Sequence, residues 1–485
     1  MVDVAVIGAG VSGAAIARRL SACAVSVALV ERAADVSFGV SKANSGIIHA
    51  AFHHRSTTLK ARLEAAGNPM FDRLQAELGF PFKRVGIIVA AFSEEEMKTV
   101  EILHARGVDN GSPGIEIAGR DRMLALEPKL NPDVHGGLFA PSGGIIEPYR
   151  FVFALVENAV ANGVQLFINW KVAAARRIAD GWLLESSSDE RIEARWVVNA
   201  AGLHADEVSA IFGAEHYTIS PRKGEEFLLE RGCAALPSRV IFPVPSRNSK
   251  GTLVIPTVEG TLMLGPTAEE IDDKGDFSTT PDNLERVFDL AARMVPQVSR
   301  RDIITSFAGL RPALPGNDFY IDMSREVPHF IQVAGIQSPG LTASPAIAER
   351  VTELLQAHGL VLSARPDYNP IIRRPPRMRE LGTAEPDQLE WLVAEDPSRG
   401  HVVCRCETVT EAEVVEAIRH GHITLDGIKF YTRAGMGRCQ GGFCTYRIMQ
   451  IIARETGMPI EAITKRGGES VLVTGRIGEP GGHTA

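Results

Sequence analysis

A buried strand that turns into a helix across three glycines restricts the fold of this chain more than any other feature. Val4-Ala5-Val6-Ile7 runs straight into Gly8-Ala9-Gly10-Val11-Ser12-Gly13, and helical spacing follows through Ala14, Ile16, Ala17 and Leu20. A second apolar strand, Val25 to Val30, ends at Glu31. The first glycine permits a tight turn, the second lets backbone approach a pyrophosphate, and the third lets helix and strand pack closely. The helix N-terminus offers free N–H groups and the positive end of a dipole to phosphate. An acid at the tip of the second strand suits a ribose hydroxyl. Gly8, Gly10, Ser12, Gly13 and Glu31 therefore predict a dinucleotide site on a parallel sheet.

The remainder of the chain divides by pattern. Its 485 residues exceed one compact core, so two or three domains are expected. Short alternating segments punctuated by Gly and Pro, at Arg239–Pro243, Gly251–Pro256 and Thr261–Gly265, predict an antiparallel sheet. Glu259-Gly260 reads as a hairpin turn between two of them. The expected class is α/β, α+β overall: a Rossmann-like domain with an inserted antiparallel-sheet domain, and a small helical C-terminal domain. Residues 361–398 carry Pro366, Pro370, Pro375, Pro376 and Pro386 among arginines, which predicts a linker over the surface or between domains. A net charge of −8 with no long basic block gives no sign of a nucleic-acid partner. The glycine loop begins too early to leave room for a secretory signal, and no apolar run has the length of a membrane span. A cytoplasmic protein is expected, with peripheral contact on the inner face of the membrane left open.

Six cysteines are unevenly spread. Cys23 and Cys233 stand alone and read as buried small apolar residues. Cys404-x-Cys406 and, 32 residues later, Cys439-x4-Cys444 form two close pairs. Thr410-Glu411-Ala412-Glu413 reads as a capping box opening a helix between the pairs, with Val414, Val415 and Ile418 inward and Gly421 at its end. A second helix is expected from about Thr445 to Glu455, giving a two-helix domain. Four thiolates suit zinc or an iron–sulfur cluster. Cys-x-Cys is a poor zinc knuckle, and glycines at 435, 437, 441 and 442 leave N–H groups able to reach cluster sulfurs.

Glu31-Arg32, the run Ser41-Lys42-Ala43-Asn44-Ser45-Gly46, Val197-Val198-Asn199-Ala200-Ala201-Gly202, Gly309-Leu310-Arg311-Pro312 and Ser338-Pro339-Gly340-Leu341-Thr342 together resemble the D-amino-acid-oxidase-like FAD enzymes. That superfamily includes glycerol-3-phosphate dehydrogenases and L-2-hydroxyglutarate oxidases. The resemblance covers residues 1–360. It implies FAD-binding parts at about 1–80, 145–210 and 305–360, and a substrate domain at about 81–144 and 211–304. It adds Arg32, Ser41, Asn44, Ser45, Val172, Ala201, Gly202, Gly309, Gly340, Leu341 and Thr342 to the expected cofactor contacts. Ser344-Pro345 reads locally as an N-cap with proline at the first helical position. The cysteine region, 399–485, resembles the [2Fe-2S] domain of bacterioferritin-associated ferredoxin in its fused form, which implies Cys404, Cys406, Cys439 and Cys444 as cluster ligands.

Oxidation of a carbon bearing OH needs a proton acceptor, and histidine suits that near neutral pH. His49, just after Ser45-Gly46-Ile47-Ile48, is the expected base, while His53 and His54 have no assigned role. Arg311 offers a fork for a carboxylate or phosphate, and Lys223 is a weaker candidate. The two resemblances imply a dehydrogenase whose electrons pass through the cluster to a quinone, an electron-transfer protein or a second flavoprotein subunit. The small anionic substrate expected first is sn-glycerol 3-phosphate. L-2-hydroxyglutarate or another 2-hydroxy acid comes next, then amine or opine oxidation. A redox-sensing or iron-handling flavoprotein is the non-enzymatic alternative.

Overall fold

The computed structural model describes residues 1–246, 250–382 and 386–475. Two compact units emerge: Met1–Arg32 with Val36–Arg373, and Ala33–Asp35 with Arg374 onward. The first unit holds two large sheets.

The glycine-loop strand Val2–Ile7 lies at the centre of one sheet. It pairs in parallel with Val27–Val30 on one side and Arg191–Asn199 on the other. Phe330–Ala334 joins Arg191–Asn199 in parallel, and the antiparallel strands Val172–Ile178 and Gly181–Ser186 extend the edge. The central strands are buried and largely apolar, as a parallel sheet needs; helix Val11–Ser21 packs against Val2–Ile7 and Val27–Val30, and Gly340–Ala357 packs against that helix.

Among the described residues the second sheet has nine strands, and Ile88, Phe227 and Leu264 pack in a core with Val287 of the helix Pro281–Met294. Leu253–Pro256 and Leu262–Gly265 form the expected hairpin, with Gly260 at φ +81° in the turn. One pairing departs from the antiparallel expectation: Val240–Pro243 runs parallel to Ile87–Ala91. The long strands Ser220–Leu229 and Ile303–Ala313 pair antiparallel with Arg222 opposite Arg311.

Two local expectations need correction. The helix expected to begin at Ser344-Pro345 begins at Gly340 instead, with Pro345 inside it. Proline has no N–H for the Leu341 carbonyl four residues back, and the Ser344 hydroxyl donates to that carbonyl at 2.9 Å in its place. The cysteine domain has a third helix, Leu425–Thr432, beside Glu411–Arg419 and Thr445–Thr456. Gly427 hides it by weakening its helical pattern, yet Thr424 caps it by accepting from the Gly427 N–H at 3.0 Å.

The proline-rich segment is only partly irregular. Residues 361–373 are fastened to the first unit by bonds such as Ala24 N–H to Ser363 O at 2.9 Å and Ile372 N–H to Glu77 O at 2.9 Å. A helix, Pro386–Glu395, follows in the second unit. No helix among the described residues is long and apolar enough to cross a membrane.

Candidate active site and cluster site

The glycine loop is tight enough that side chains are excluded. A Cβ on Gly13 would lie 1.9 Å from the Gly8 carbonyl oxygen, and one on Gly8 would lie 2.6 Å from Ala200 O. The second contact brings the Ala200-Ala201-Gly202 crossing against the loop. Glu31 accepts from the Ala9 N–H at 2.8 Å, and Ser41 Oγ accepts from the Val11 N–H at 2.9 Å. Ser12 is buried in the first turn of the helix that Gly10 opens, while Arg32 is exposed. Val172 follows a segment whose Phe167 and Trp170 bond the backbone of Glu31.

The segment 41–46 ties this cradle to the second sheet. Asn44 spends its side chain on that segment, donating to Val40 O and Ser41 O and accepting from the Gly46 N–H. Ser45 Oγ donates to Glu226 at 3.2 Å, and Gly309 lies so close that a Cβ would stand 2.0 Å from Ala43 O. The cradle therefore reaches from the nucleotide loop to Arg311, two residues beyond Gly309.

His49 lies next along the chain. Its N–H donates to Thr342 Oγ1 at 2.9 Å, and its carbonyl accepts from Asn68 at 2.6 Å, which fixes the backbone at the start of the Gly340–Ala357 helix. Its ring Nε2 is 3.1 Å from Ser338 Oγ, and Lys250 Nζ donates to the same hydroxyl at 3.1 Å. The structure thus gathers His49, Gly340, Leu341 and Thr342 with a lysine absent from the sequence-based site. Burial, then the nearby Lys250 and His54, hold the His49 imidazole well below its usual pKa, so it is neutral near pH 7.

Arg311 crosses the neighbouring strand, donating to the carbonyls of Arg222, Lys223 and Thr267. Gly224 makes room for it, since a Cβ there would sit 2.5 Å from Nη2. Side chains alternate across a strand, so Arg222, Gly224 and Glu226 share a face with Arg311, and Lys223 turns away. Lys223 is buried on the other side against Asp276, at 2.7 Å. The structure therefore does not bring Lys223 to this site.

Besides Arg311, which the sequence pointed to, the region around His49 and Arg311 holds titratable groups that sequence reasoning missed: Lys60, Lys250, Glu64 and Glu226. Burial, then Lys250, lowers Lys60 to about 7; burial above all lowers Lys250 to about 8. Burial lowers even Arg311 to about 10, with Arg222 adding to it. Burial raises both Glu64 and Glu226 to about 7, against the opposing pull of Lys250 and Arg311 respectively. Lys250-Gly251 gave one faint signal, a lysine beside a glycine that adopts φ +85°, but nothing local ties it to His49, 201 residues earlier.

In the second unit the thiols approach in two pairs. Cys406 Sγ and Cys439 Sγ are 3.7 Å apart, and Cys404 is hydrogen-bonded to Cys444. Two thiolates about 2.3 Å from one tetrahedral ion stand about 3.8 Å apart, so the first pair is already spaced to share a metal. Backbone N–H groups of Gly435 and Gly441 donate to Cys404 and Cys439, and a Cβ on Gly437 would strike Cys406 at 2.2 Å. Two pairs with backbone donors fit a binuclear cluster with two thiolates per iron. The capping box forms as expected, with the Thr410 N–H and hydroxyl both donating to Glu413, at 2.8 and 2.9 Å.

Residues 3–354 match the family described as FAD dependent oxidoreductase. The chain belongs to that family. Residues 402–454 match the BFD-like [2Fe-2S] binding domain. A glycerol 3-phosphate dehydrogenase of Caloramator mitchellensis is 42% identical over 477 residues, covering 98% of both chains. The mitochondrial L-2-hydroxyglutarate dehydrogenase of Arabidopsis thaliana is 26% identical over 72% of this chain and 82% of its own. Among solved structures, the FAD-bound, dithionite-reduced L-alpha-glycerophosphate oxidase of Mycoplasma pneumoniae superposes with a TM-score of 0.73 at 29% identity, over 77% of this chain and 99% of that one.

Membership in the FAD-dependent oxidoreductases makes FAD the occupant of the cradle, and the second match makes a [2Fe-2S] cluster the occupant of the thiols. The residues fit both groups: side-chain-free glycines where a pyrophosphate must approach, and four thiols in pairs. Anaerobically purified protein is expected to carry FAD and about two irons per chain. Cys439→Ser is expected to lose the cluster's visible absorbance and keep FAD. Zinc without iron on elemental analysis contradicts the first expectation, and loss of FAD in the variant contradicts the second.

Proposed function

We propose that this enzyme oxidises sn-glycerol 3-phosphate to dihydroxyacetone phosphate and passes the electrons to a quinone or an electron-transfer protein in the cytoplasm. One observation carries the reading: buried positive charge around His49 exceeds buried negative charge. Lys60, Lys250, Arg222 and Arg311 face Glu64, Glu226 and Asp318, and burial already pushes the first two carboxyls toward neutrality. Burial depresses both lysines, and Asp318 beside Lys60 and Glu64 beside Lys250 oppose it only in part. A dianionic phosphate supplies a further counter-anion.

Bound FAD supplies the hydride acceptor, and a cluster supplies a one-electron store. The protein's part is to hold the phosphate with Arg311 and Lys250 and to take the hydroxyl proton at His49. The relatives named for glycerol 3-phosphate support this choice over the hydroxyglutarate alternative, since their identity is higher or their coverage greater. Anaerobic titration tests it: sn-glycerol 3-phosphate is expected to bleach the flavin, while L-2-hydroxyglutarate, glycerol and amino acids leave it oxidised. Bleaching by the hydroxy acid alone transfers the assignment to that substrate. A flavin that no substrate bleaches favours a redox sensor.

A further inference from the structure

The thiol pairs differ in exposure. Cys404 and Cys444 are buried, Cys439 is half-buried and Cys406 is exposed. The Cys406–Cys439 pair therefore forms an open edge of the cluster site. Near that edge in sequence stand two exposed aromatic residues. Phe443, between Gly442 and Cys444, is 84% exposed, and Tyr446, three residues on, is 59% exposed. An isolated exposed apolar residue is ordinary, but two aromatics within one helical turn, beside a redox ligand, form a patch.

The charge around the patch has one sign. Arg405 lies between the first two cysteines, Arg438 precedes Cys439, and Arg447 begins the second turn after Phe443; all three are exposed. Arg405 and Arg447 form no ion pair among the described residues. The nearest acid in these two loops, Glu407, is buried and committed to Arg433 at 2.8 Å and Arg379 at 3.3 Å. The face thus combines an aromatic centre with a basic rim.

We propose that this face docks a small, acidic, one-electron carrier protein, which receives electrons at the Cys406–Cys439 edge. The proposal rests on the dehydrogenase reading and specifies its acceptor. The aromatics give the central contacts, and the arginines steer and orient an acidic partner. Redox encounters commonly bury less than about 1,200 Å², so a compact patch suffices. An anionic membrane is the poorer occupant, because lipid-binding segments gather about four to eight basic residues and this rim has three. Each substrate oxidation breaks one C–H and one O–H bond, forms C=O, and releases two electrons and two protons. Two carriers, each reduced by one electron, balance it.

The test uses the full-length holoprotein with oxidised acidic [2Fe-2S] ferredoxin, basic cytochrome c, and vesicles of mixed neutral and anionic phospholipid as probes. Calorimetry or surface resonance is expected to show ferredoxin binding that weakens steeply with salt, and little binding of the other two. Phe443→Ser and Arg447→Glu are each expected to weaken it by about tenfold or more. Cluster absorbance and flavin bleaching should match the wild type, which separates docking from folding. Unchanged affinity in both variants, absent ferredoxin binding, or vesicle binding lost through the same substitutions overturns the proposal. Failure of sn-glycerol 3-phosphate to bleach the flavin overturns the substrate reading instead, and leaves the binding result standing.

Discussion

His49→Asn is expected to lower the rate of flavin reduction by about 10²- to 10⁴-fold, the usual worth of a positioned general base. The Ser338 hydroxyl lies 3.1 Å from Nε2 of the imidazole, and Lys250 donates to the same hydroxyl. The proposed role has that nitrogen take the substrate's hydroxyl proton in place of the hydrogen bond with Ser338. The backbone of His49 is held at both ends, by Thr342 and Asn68, so the ring has little freedom to miss its target. Asparagine preserves approximate size and polarity but accepts no proton near neutral pH. FAD content should be unchanged, because His49 meets Thr342 through its backbone N–H, which asparagine keeps.

The pH profile gives a signature that a structural role would not. A base works only when unprotonated, so kcat/KM falls as pH drops through the pKa of His49. Burial and the Lys250 charge depress that pKa below its ordinary 6.5, and the acid limb should lie below that value. Lys250→Met removes a positive neighbour, makes the imidazolium easier to form, and should move the limb upward. Rapid anaerobic mixing across pH reads both effects. A limb that is unmoved in Lys250→Met, or a His49→Asn rate within about tenfold of wild type, removes His49 from the role of base.

What was legible in the sequence was local. The glycine loop, its strand and helix, and the acid at the next strand's end lie within 31 consecutive residues, and each element is fixed by near neighbours. The cysteine pairs are legible for the same reason. What failed to show depends on register. Arg222 and Lys223 are equivalent on paper, and only the pairing of Arg222 with Arg311 turns one toward the site and the other to Asp276. Lys250 shares a hydrogen-bond partner with His49 in Ser338, which lies 88 residues further on. The helix start at Gly340 was hidden because Ser344 supplies the bond that Pro345 removes. No periodicity records such a side-chain substitution for a backbone donor.

Arg311→Lys is expected to reduce kcat/KM for the anionic substrate by about 10- to 150-fold, the loss of one charge-assisted hydrogen bond of about 1.5–3 kcal/mol. Three main-chain carbonyls orient the guanidinium, and its planar fork then has donors in fixed directions for an anion. A lysine keeps the charge but cannot satisfy those carbonyls and hold an anion in the same geometry. Glycerol, which carries no phosphate, should lose far less than its phosphate ester. Gly224→Ala offers an independent approach to the same group. Its new methyl would lie 2.5 Å from Nη2, 2.9 Å from the Pro266 Cβ and 3.1 Å from Thr267 O; the guanidinium is the group freest to yield, so kcat/KM should fall in the same substrate-selective way while Arg311 itself is intact. Equal losses on charged and neutral substrates in both variants would mark Arg311 as a brace between strands, and the anion would have to be held by Lys250 and Lys60.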